Sequence, residues 1–301
     1  MVTKIDSRRI LVFLLFAFGI AWLTGLVIYL TGGIATSPTI ASRITLAVVL
    51  LATGYMGAPA VAHLLTRLVT REGWSGLWLR PHFRRGWPYW LAAWFLPSLM
   101  TVVGAAIFFL IFPQYFDPTL STLRASLANS PRLGHLSPWA VMIIELVAAV
   151  LISPVLNALA TLGEEFGWRA YLLPKLMPLG GRKAALLIGV IWGVWHWPVI
   201  LMGYEYGFNY PGFPWIGLLL FLWFTTCASI FQAWTVLRAK SVWPGVIGHA
   251  AINGFAAASI VVTTGHPNRL LGPVPVGIIG SLGFALVAAA IFFSPRALRE
   301  S

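Results

Sequence analysis

Eight mostly apolar runs of about twenty residues alternate along the chain with short connections rich in Arg, Lys, Gly and Pro. They fall at approximately 10–30, 44–66, 88–112, 139–163, 184–202, 215–237, 244–262 and 274–294. An α-helix rises about 1.5 Å per residue, so about 20 residues cross the roughly 30 Å of bilayer hydrocarbon. Each run is therefore predicted as a transmembrane helix. The first is too long, and lacks a small-residue cleavage site, for a signal peptide, so it is read as a retained anchor. Trp87, Trp90, Trp139, Trp215 and Trp243 stand at predicted span ends, as interfacial aromatic anchors do. The stretch from Gly203 to Pro211, rich in turn formers and aromatics, reads as an outer loop. No internal repeat emerges, and no hydrophilic segment is long enough to fold alone. Residues 1–301 are read as one integral membrane domain, whose first third carries no chemical constellation and reads as scaffold.

Composition fixes the class. Hydrophobic residues make up 59% of the chain and charged residues 9%, against about 25% charged in a soluble domain. The prediction is an all-α polytopic membrane bundle of about eight transmembrane helices, with the lipid bilayer as its first partner. The net charge of +12 would suit a nucleic acid, but the basic residues sit between apolar runs and form no continuous stripe, so none is expected. Their placement sets topology instead. With the N-terminus inside, Lys4, Arg8 and Arg9, then Arg67, Arg71, Arg80, Arg84 and Arg85, share the cytoplasm. Arg169, Lys175, Arg182, Lys183, Arg238, Lys240, Arg296 and Arg299 join them, making 16 of the 20 basic residues. Arg43, Arg124, Arg132 and Arg269 are left over. Both termini are therefore expected in the cytoplasm, and in a bacterium the membrane would be the plasma (inner) membrane. The single cysteine, Cys227, lies in an apolar run and excludes both an intramolecular disulfide and a cysteine zinc site.

Three polar constellations interrupt the apolar runs: Glu164-Glu165-Phe166-Gly167-Trp168-Arg169, Trp192-Gly193-Val194-Trp195-His196 and His249-Ala250-Ala251-Ile252-Asn253. An ionisable side chain in hydrocarbon costs at least about 2.5–3.5 kcal/mol, so five such polar groups on three helices point to chemistry. Successive glutamates on a helix point about 100° apart and cannot share one task. Arg169 follows Glu165 by four residues, the acid-before-base spacing of a helical ion pair, which leaves Glu164 to face a cavity. The competing reading is a helix restart at the membrane surface, with Thr161 to Glu164 as a capping box and Arg169 solvated. His196 lies among tryptophans thirteen residues beyond Lys183, about 20 Å along a helix. His249 and Asn253 share a helix face amid small residues that let helices approach closely. Hydrolysis of a peptide bond in a membrane needs a held water, a base and oxyanion donors, and two carboxylates, two imidazoles and a carboxamide supply that kit. Glu164, His196 and His249 also form a possible ligand set for Zn2+ or another divalent metal. Glu145 and His63 read as structural.

In order, spacing and membrane context these motifs resemble the signature of the CPBP family, which includes CAAX prenyl endopeptidases of the Ras-converting type and bacteriocin-processing proteins. The resemblance covers about residues 139–256, taken as the catalytic core. One departure is Trp192, where the family usually carries Phe; both are bulky and aromatic. The resemblance implies an intramembrane endopeptidase acting near the cytoplasmic face on a peptide, a prenylated C-terminal tail or a peptide precursor. It further implies that Glu164 and His196 activate water, His249 and Asn253 stabilise the oxyanion, and Glu165 and Arg169 orient the site. The favoured scheme is that of a glutamic endopeptidase and requires no cofactor; a metalloprotease is the alternative. Two other functions compete: a catalytically silent membrane partner or immunity protein, and a proton-coupled transporter using the same polar residues. Counted along the helices, His196 lies deeper than Glu164 and His249, which a tilt, a kink at Pro154 or a displaced fifth helix would reconcile.

Overall fold

A backbone in hydrocarbon finds no water for its N–H and C=O groups, so it closes those bonds within helices. The computed structural model, which describes residues 4–42, 44–129 and 135–299, has a helix in each of the eight predicted regions. Arg43 and Arg132 lie outside the described residues. The protein is an all-α, multi-pass integral membrane protein, with one two-stranded ribbon (Thr39–Ala41 and Ile44–Thr45) among the described residues. The main helices are Ser7–Leu30 (α1), Leu46–Val69 (α2), Phe83–Ile111 (α3), Pro138–Leu151 (α4), Ser153–Leu179 (α5), Gly181–Trp195 (α6), Trp215–Ala239 (α7), Trp243–Phe255 (α8) and Leu282–Phe293 (α9).

Length supports fewer crossings than the eight predicted. Five helices are long and apolar enough to span: α1, α2, α3, α7 and α8 with its extension to Val262. The pair α4 and α5, bent by 43° at Ile152, supplies a sixth if taken as one broken span. The bend falls just ahead of Pro154, which has no N–H to continue the ladder. The predicted fifth span stops at Trp195 because Pro198 interrupts it, and a separate short helix follows at Trp197–Leu201. The predicted eighth span is helical over 12 residues only; Pro273, Pro275, Gly277 and Gly280 keep its first part in turns.

Glycines four residues apart let two pairs of helices approach closely. On α5, Gly163 and Gly167 face α2: a Cβ on Gly163 would lie 2.6 Å from the Met56 carbonyl oxygen, and one on Gly167 would overlap Pro59. On α6, Gly189 and Gly193 face α7, and Thr225 and Ser229 donate across the seam to the carbonyls of Gly189 and Ala185, at 3.0 and 2.8 Å. This is the small-residue packing that substitutes for a hydrophobic drive in lipid. A Cβ on Gly193 would meet Thr225 Oγ1 at 2.7 Å and the Leu222 Cα at 2.9 Å. Because a backbone atom cannot rotate away, Gly193→Ala should lower thermal stability in detergent by roughly 1–3 kcal/mol, the usual cost of overpacking. A melting temperature equal to wild type would show that the α6–α7 seam yields.

One end of the bundle is tied by charge. Glu72 takes the Lys175 ammonium at 2.8 Å and the Tyr171 hydroxyl at 3.0 Å, with Arg9 Nε at 3.5 Å and Arg67 Nη1 at 4.0 Å. Burial works to raise the Glu72 carboxyl, but the bonds and charge of Lys175 outweigh it and hold the group below the ordinary glutamate range. The start of α1, the end of α2 and the last turns of α5 therefore share this end.

Candidate active site

The helix restart considered at Glu164 does not occur. The α-helical turns of α5 run unbroken from Ser153 to Gly167, and Thr161 sits mid-helix, donating across to the Val246 carbonyl of α8 at 3.0 Å. Glu164, Glu165 and Arg169 are 2%, 0% and 0% exposed. Arg169 is thus buried, not solvated. It lies in a π-helical turn, Trp168–Leu172, a local widening often found at functional positions.

The two glutamates part company as helix geometry requires. Glu165 Oε1 accepts from Arg169 Nη1 at 3.2 Å and pairs with His249 Nδ1 at 2.9 Å. A carboxylate only accepts, so the His249 Nδ1 carries the proton in this bond. Gly245, one turn before His249, leaves room here: a Cβ there would stand 3.3 Å from Glu165 Oε2. Glu164 turns the other way, and its Oε2 accepts the Trp192 indole N–H at 2.6 Å. Its Oε1 has no protein partner among the described residues.

The end of α6 positions His196. Helix termination leaves its last carbonyls without intrahelical donors. The His196 backbone N–H turns to the Gly193 carbonyl at 3.1 Å. That frees the Trp192 carbonyl, and the His196 ring takes it through Nδ1 at 2.8 Å. Because a carbonyl accepts, Nδ1 carries the proton and the lone pair of a neutral ring lies on Nε2. The next freed carbonyl, that of Trp195, receives the Tyr55 hydroxyl at 2.6 Å and the Trp22 indole N–H at 3.1 Å.

Trp192 is the hub. Besides its bond to Glu164 it meets both imidazoles edge to face, with centroids 5.7 Å from His196 and 5.2 Å from His249, and the Arg169 guanidinium lies 4.9 Å from the centre of its ring. Around this indole, Glu164, His196, His249 and Asn253 line one cavity of about 390 Å³. Asn253 is exposed in its wall. The helices that carry Glu164 and His196 are, respectively, bent by 43° at Ile152 and ended at Trp195.

The sequence missed part of this wall. The first third is not scaffold alone: Leu51, Tyr55 and Met56 of α2 border the cavity. Tyr204 and Glu205, placed in an outer loop, border it too, with Val274, Pro275 and Val276. The glycine pairs were a readable signal for the helix contacts, whereas the approach of Tyr55 and Glu205 depends on tertiary folding. His63 is structural as expected, donating through Nδ1 to the Phe166 carbonyl at 2.8 Å and accepting from Arg67 at 2.7 Å.

For the alternative metal scheme, the donor set is the test. Among the described residues no three His, Cys, Asp or Glu side chains converge as a metal-holding group. Glu164 Oε1 and the Nε2 atoms of His196 and His249 each stay free of protein partners among the described residues, their other atoms being bonded to Trp192, the Trp192 carbonyl and Glu165. As arranged, the three are not brought together as a metal-holding group.

Residues 138–255 match the family described as type II CAAX prenyl endopeptidase Rce1-like. That segment, well under half of the chain, is what is similar to the Rce1-like family. The chain is also 32% identical over 97 residues to CAAX prenyl protease 2 of Methanococcus maripaludis. That match covers 32% of this chain and 36% of the relative, so the chain aligns with little more than a third of the curated protein. The Rce1-like segment holds all three polar motifs and Glu205; Tyr55 and Val274–Val276 lie outside it.

Within the Rce1-like segment, Trp192 is more than a bulky aromatic. Phenylalanine would fill the same space but offer Glu164 no hydrogen. A hydrogen bond to a charged group contributes about 1.5–3 kcal/mol, or roughly tenfold to a hundredfold in an equilibrium or rate. Trp192→Phe should keep the fold, judged by an unchanged melting temperature to within a few degrees. It should lower any turnover that depends on Glu164 by about tenfold or more, and a rate equal to wild type would show the bond to be idle.

Proposed function

We propose that this protein is an intramembrane endopeptidase that hydrolyses a peptide bond near the cytoplasmic membrane face. One observation carries the reading: Glu164, His196, His249 and Asn253 come from three helices to line a single cavity, with Glu164 Oε1 and the Nε2 atoms of both histidines free of protein partners among the described residues. Arg9, Arg67 and Lys175 gather at one end of the bundle, which under the positive-inside rule supports reading that end as the cytoplasmic one. Glu164 and His249 lie toward it, since α5 runs into that end and α8 starts from it.

In this mechanism a water sits between Glu164 Oε1 and His196 Nε2. Its oxygen attacks the scissile carbonyl carbon as Glu164 takes one of its protons, and the Trp192 N–H holds the carboxylate in place. The oxygen of the former carbonyl becomes negative and accepts a hydrogen bond from the Asn253 carboxamide. His249 adds a second donor when its Nε2 is protonated, and the Glu165 carboxylate on Nδ1 offsets that charge. The C–N bond then breaks as the proton held on Glu164 passes to the leaving nitrogen, giving a carboxylic acid and an amine. Arg169 holds Glu165 for this task.

By the same family reading, a prenylated C-terminal tail or an apolar peptide precursor is the substrate class. The test is incubation of the purified protein in lipid nanodiscs with prenylated and unprenylated peptides, with products identified by mass spectrometry. Cleavage by wild type and its loss in His196→Ala would support the reading; cleavage by neither, or by both, would sink it.

A further inference from the structure

The loop after the Trp197–Leu201 helix brings a carboxylate into the proposed hydrolytic cavity that the mechanism does not use. Glu205 borders the same 390 Å³ space as Glu164, His196 and Asn253. It lies in a turn at the end of the bundle opposite the Glu72 cluster, because α6 runs away from that cluster before the loop begins. Its backbone has φ of 67°, a left-handed conformation that a side-chain-bearing residue adopts only at a cost. Among the described residues no cationic side chain lies within ion-pair distance of its carboxylate. Arg269 donates to the Glu205 backbone carbonyl at 3.5 Å and acts on the carboxyl by charge from beyond ion-pair distance, and the Tyr204 hydroxyl hydrogen-bonds the carboxyl. The wall that Glu205 shares with Glu164 includes the aromatic rings of Tyr55, Trp195, Tyr204 and Phe221 among aliphatic side chains.

A carboxyl with no ion-pair partner in contact, bordering a cavity whose wall includes aromatic rings, matches one kind of guest. The faces of aromatic rings attract cations, and a desolvated carboxylate gains most from a cation held against it. An aliphatic or prenyl chain would leave Glu205 unpaired, at a cost. We propose that Glu205 is a specificity-determining residue that receives the ammonium or guanidinium of a Lys or Arg side chain, so that the bound peptide carries a basic residue close to the bond presented to Glu164. Burial, the largest influence on the Glu205 carboxyl, holds it above the ordinary glutamate range against the opposing Tyr204 hydrogen bond and the charge of Arg269, and a cation bound against it would favour the carboxylate. This inference rests on the endopeptidase reading for the word substrate, but not for the binding itself.

The test therefore measures binding and cleavage separately. A set of apolar peptides, each with one Lys and paired with its norleucine isostere, is titrated against the protein in nanodiscs. Wild type should bind the best Lys peptide at least about tenfold more tightly than its isostere. Glu205→Gln should erase that ratio, and Glu205→Lys should reverse it in favour of a Glu-containing peptide. Equal affinity of wild type for both members of every pair, a ratio that survives Glu205→Gln, or no binding of any peptide would overturn the proposal. Selective binding without cleavage would leave Glu205 as a cation site and count against the endopeptidase reading alone. Cleavage indifferent to the Lys would do the converse.

Discussion

Glu164→Gln, which keeps the shape of the side chain and removes its basicity, is expected to lower peptide hydrolysis by about 10²–10⁴-fold, the usual contribution of a positioned general base. The substitution is a clean one in this setting. A glutamine can place its carboxamide oxygen at the site of Oε2 and still accept the Trp192 N–H that Glu164 takes at 2.6 Å. The contacts of the indole with His196, His249 and Arg169 do not depend on Glu164 carrying charge. The fold should therefore persist, and the loss should appear in kcat rather than KM, as expected when an interaction made only in the transition state is removed. Single-turnover kinetics in nanodiscs, with melting temperature as the control for folding, make the measurement. A Gln variant within threefold of wild type would remove Glu164 from the mechanism.

The second large effect concerns stability. Arg169 and Glu165 are both fully buried and meet at 3.2 Å, with His249 on the same carboxylate oxygen. Arg169 Nε and Nη2 and Glu165 Oε2 are buried without a protein partner among the described residues, so the pair has little reserve. Removing one partner of a buried ion pair strands the other and typically costs about 3–5 kcal/mol, whereas removing both for apolar groups is often close to neutral. Arg169→Leu should accordingly be strongly destabilised in a thermal scan. Glu165→Leu combined with Arg169→Leu should recover much of the loss, though not the site, since His249 would lose its anchor. Two single variants and a double variant that all melt alike would place the pair's contribution near zero.

Much of the site was legible because its parts are local. The four-residue step from Glu165 to Arg169, and the divergence of Glu164 from it, follow from 3.6 residues per turn, and the structure places these side chains accordingly. The same holds for His249 and Asn253 on one face of α8. What escaped is of two kinds. Span counting assumes that an apolar run stays helical to its end, and Pro154, Pro198 and the Pro273 to Gly280 stretch break that assumption. The other kind is distance in sequence. Tyr55 reaches the Trp195 carbonyl across 140 positions, and no periodicity reports such a meeting. Trp192 was visible as a departure from the family pattern, yet its consequence lay in where one N–H points.

A single residue of α6 thus fastens both members of the proposed water-activating pair: its carbonyl holds the imidazole of its own helix, and its indole reaches across to the carboxylate of α5. The first tether is indifferent to how the helices sit; the second closes only when α5 and α6 are in register. A small rocking of α6 on its glycine seam would therefore leave His196 aimed as before while releasing Glu164. Such a site has an interlock, armed by the docking of two helices and disarmed without unfolding either.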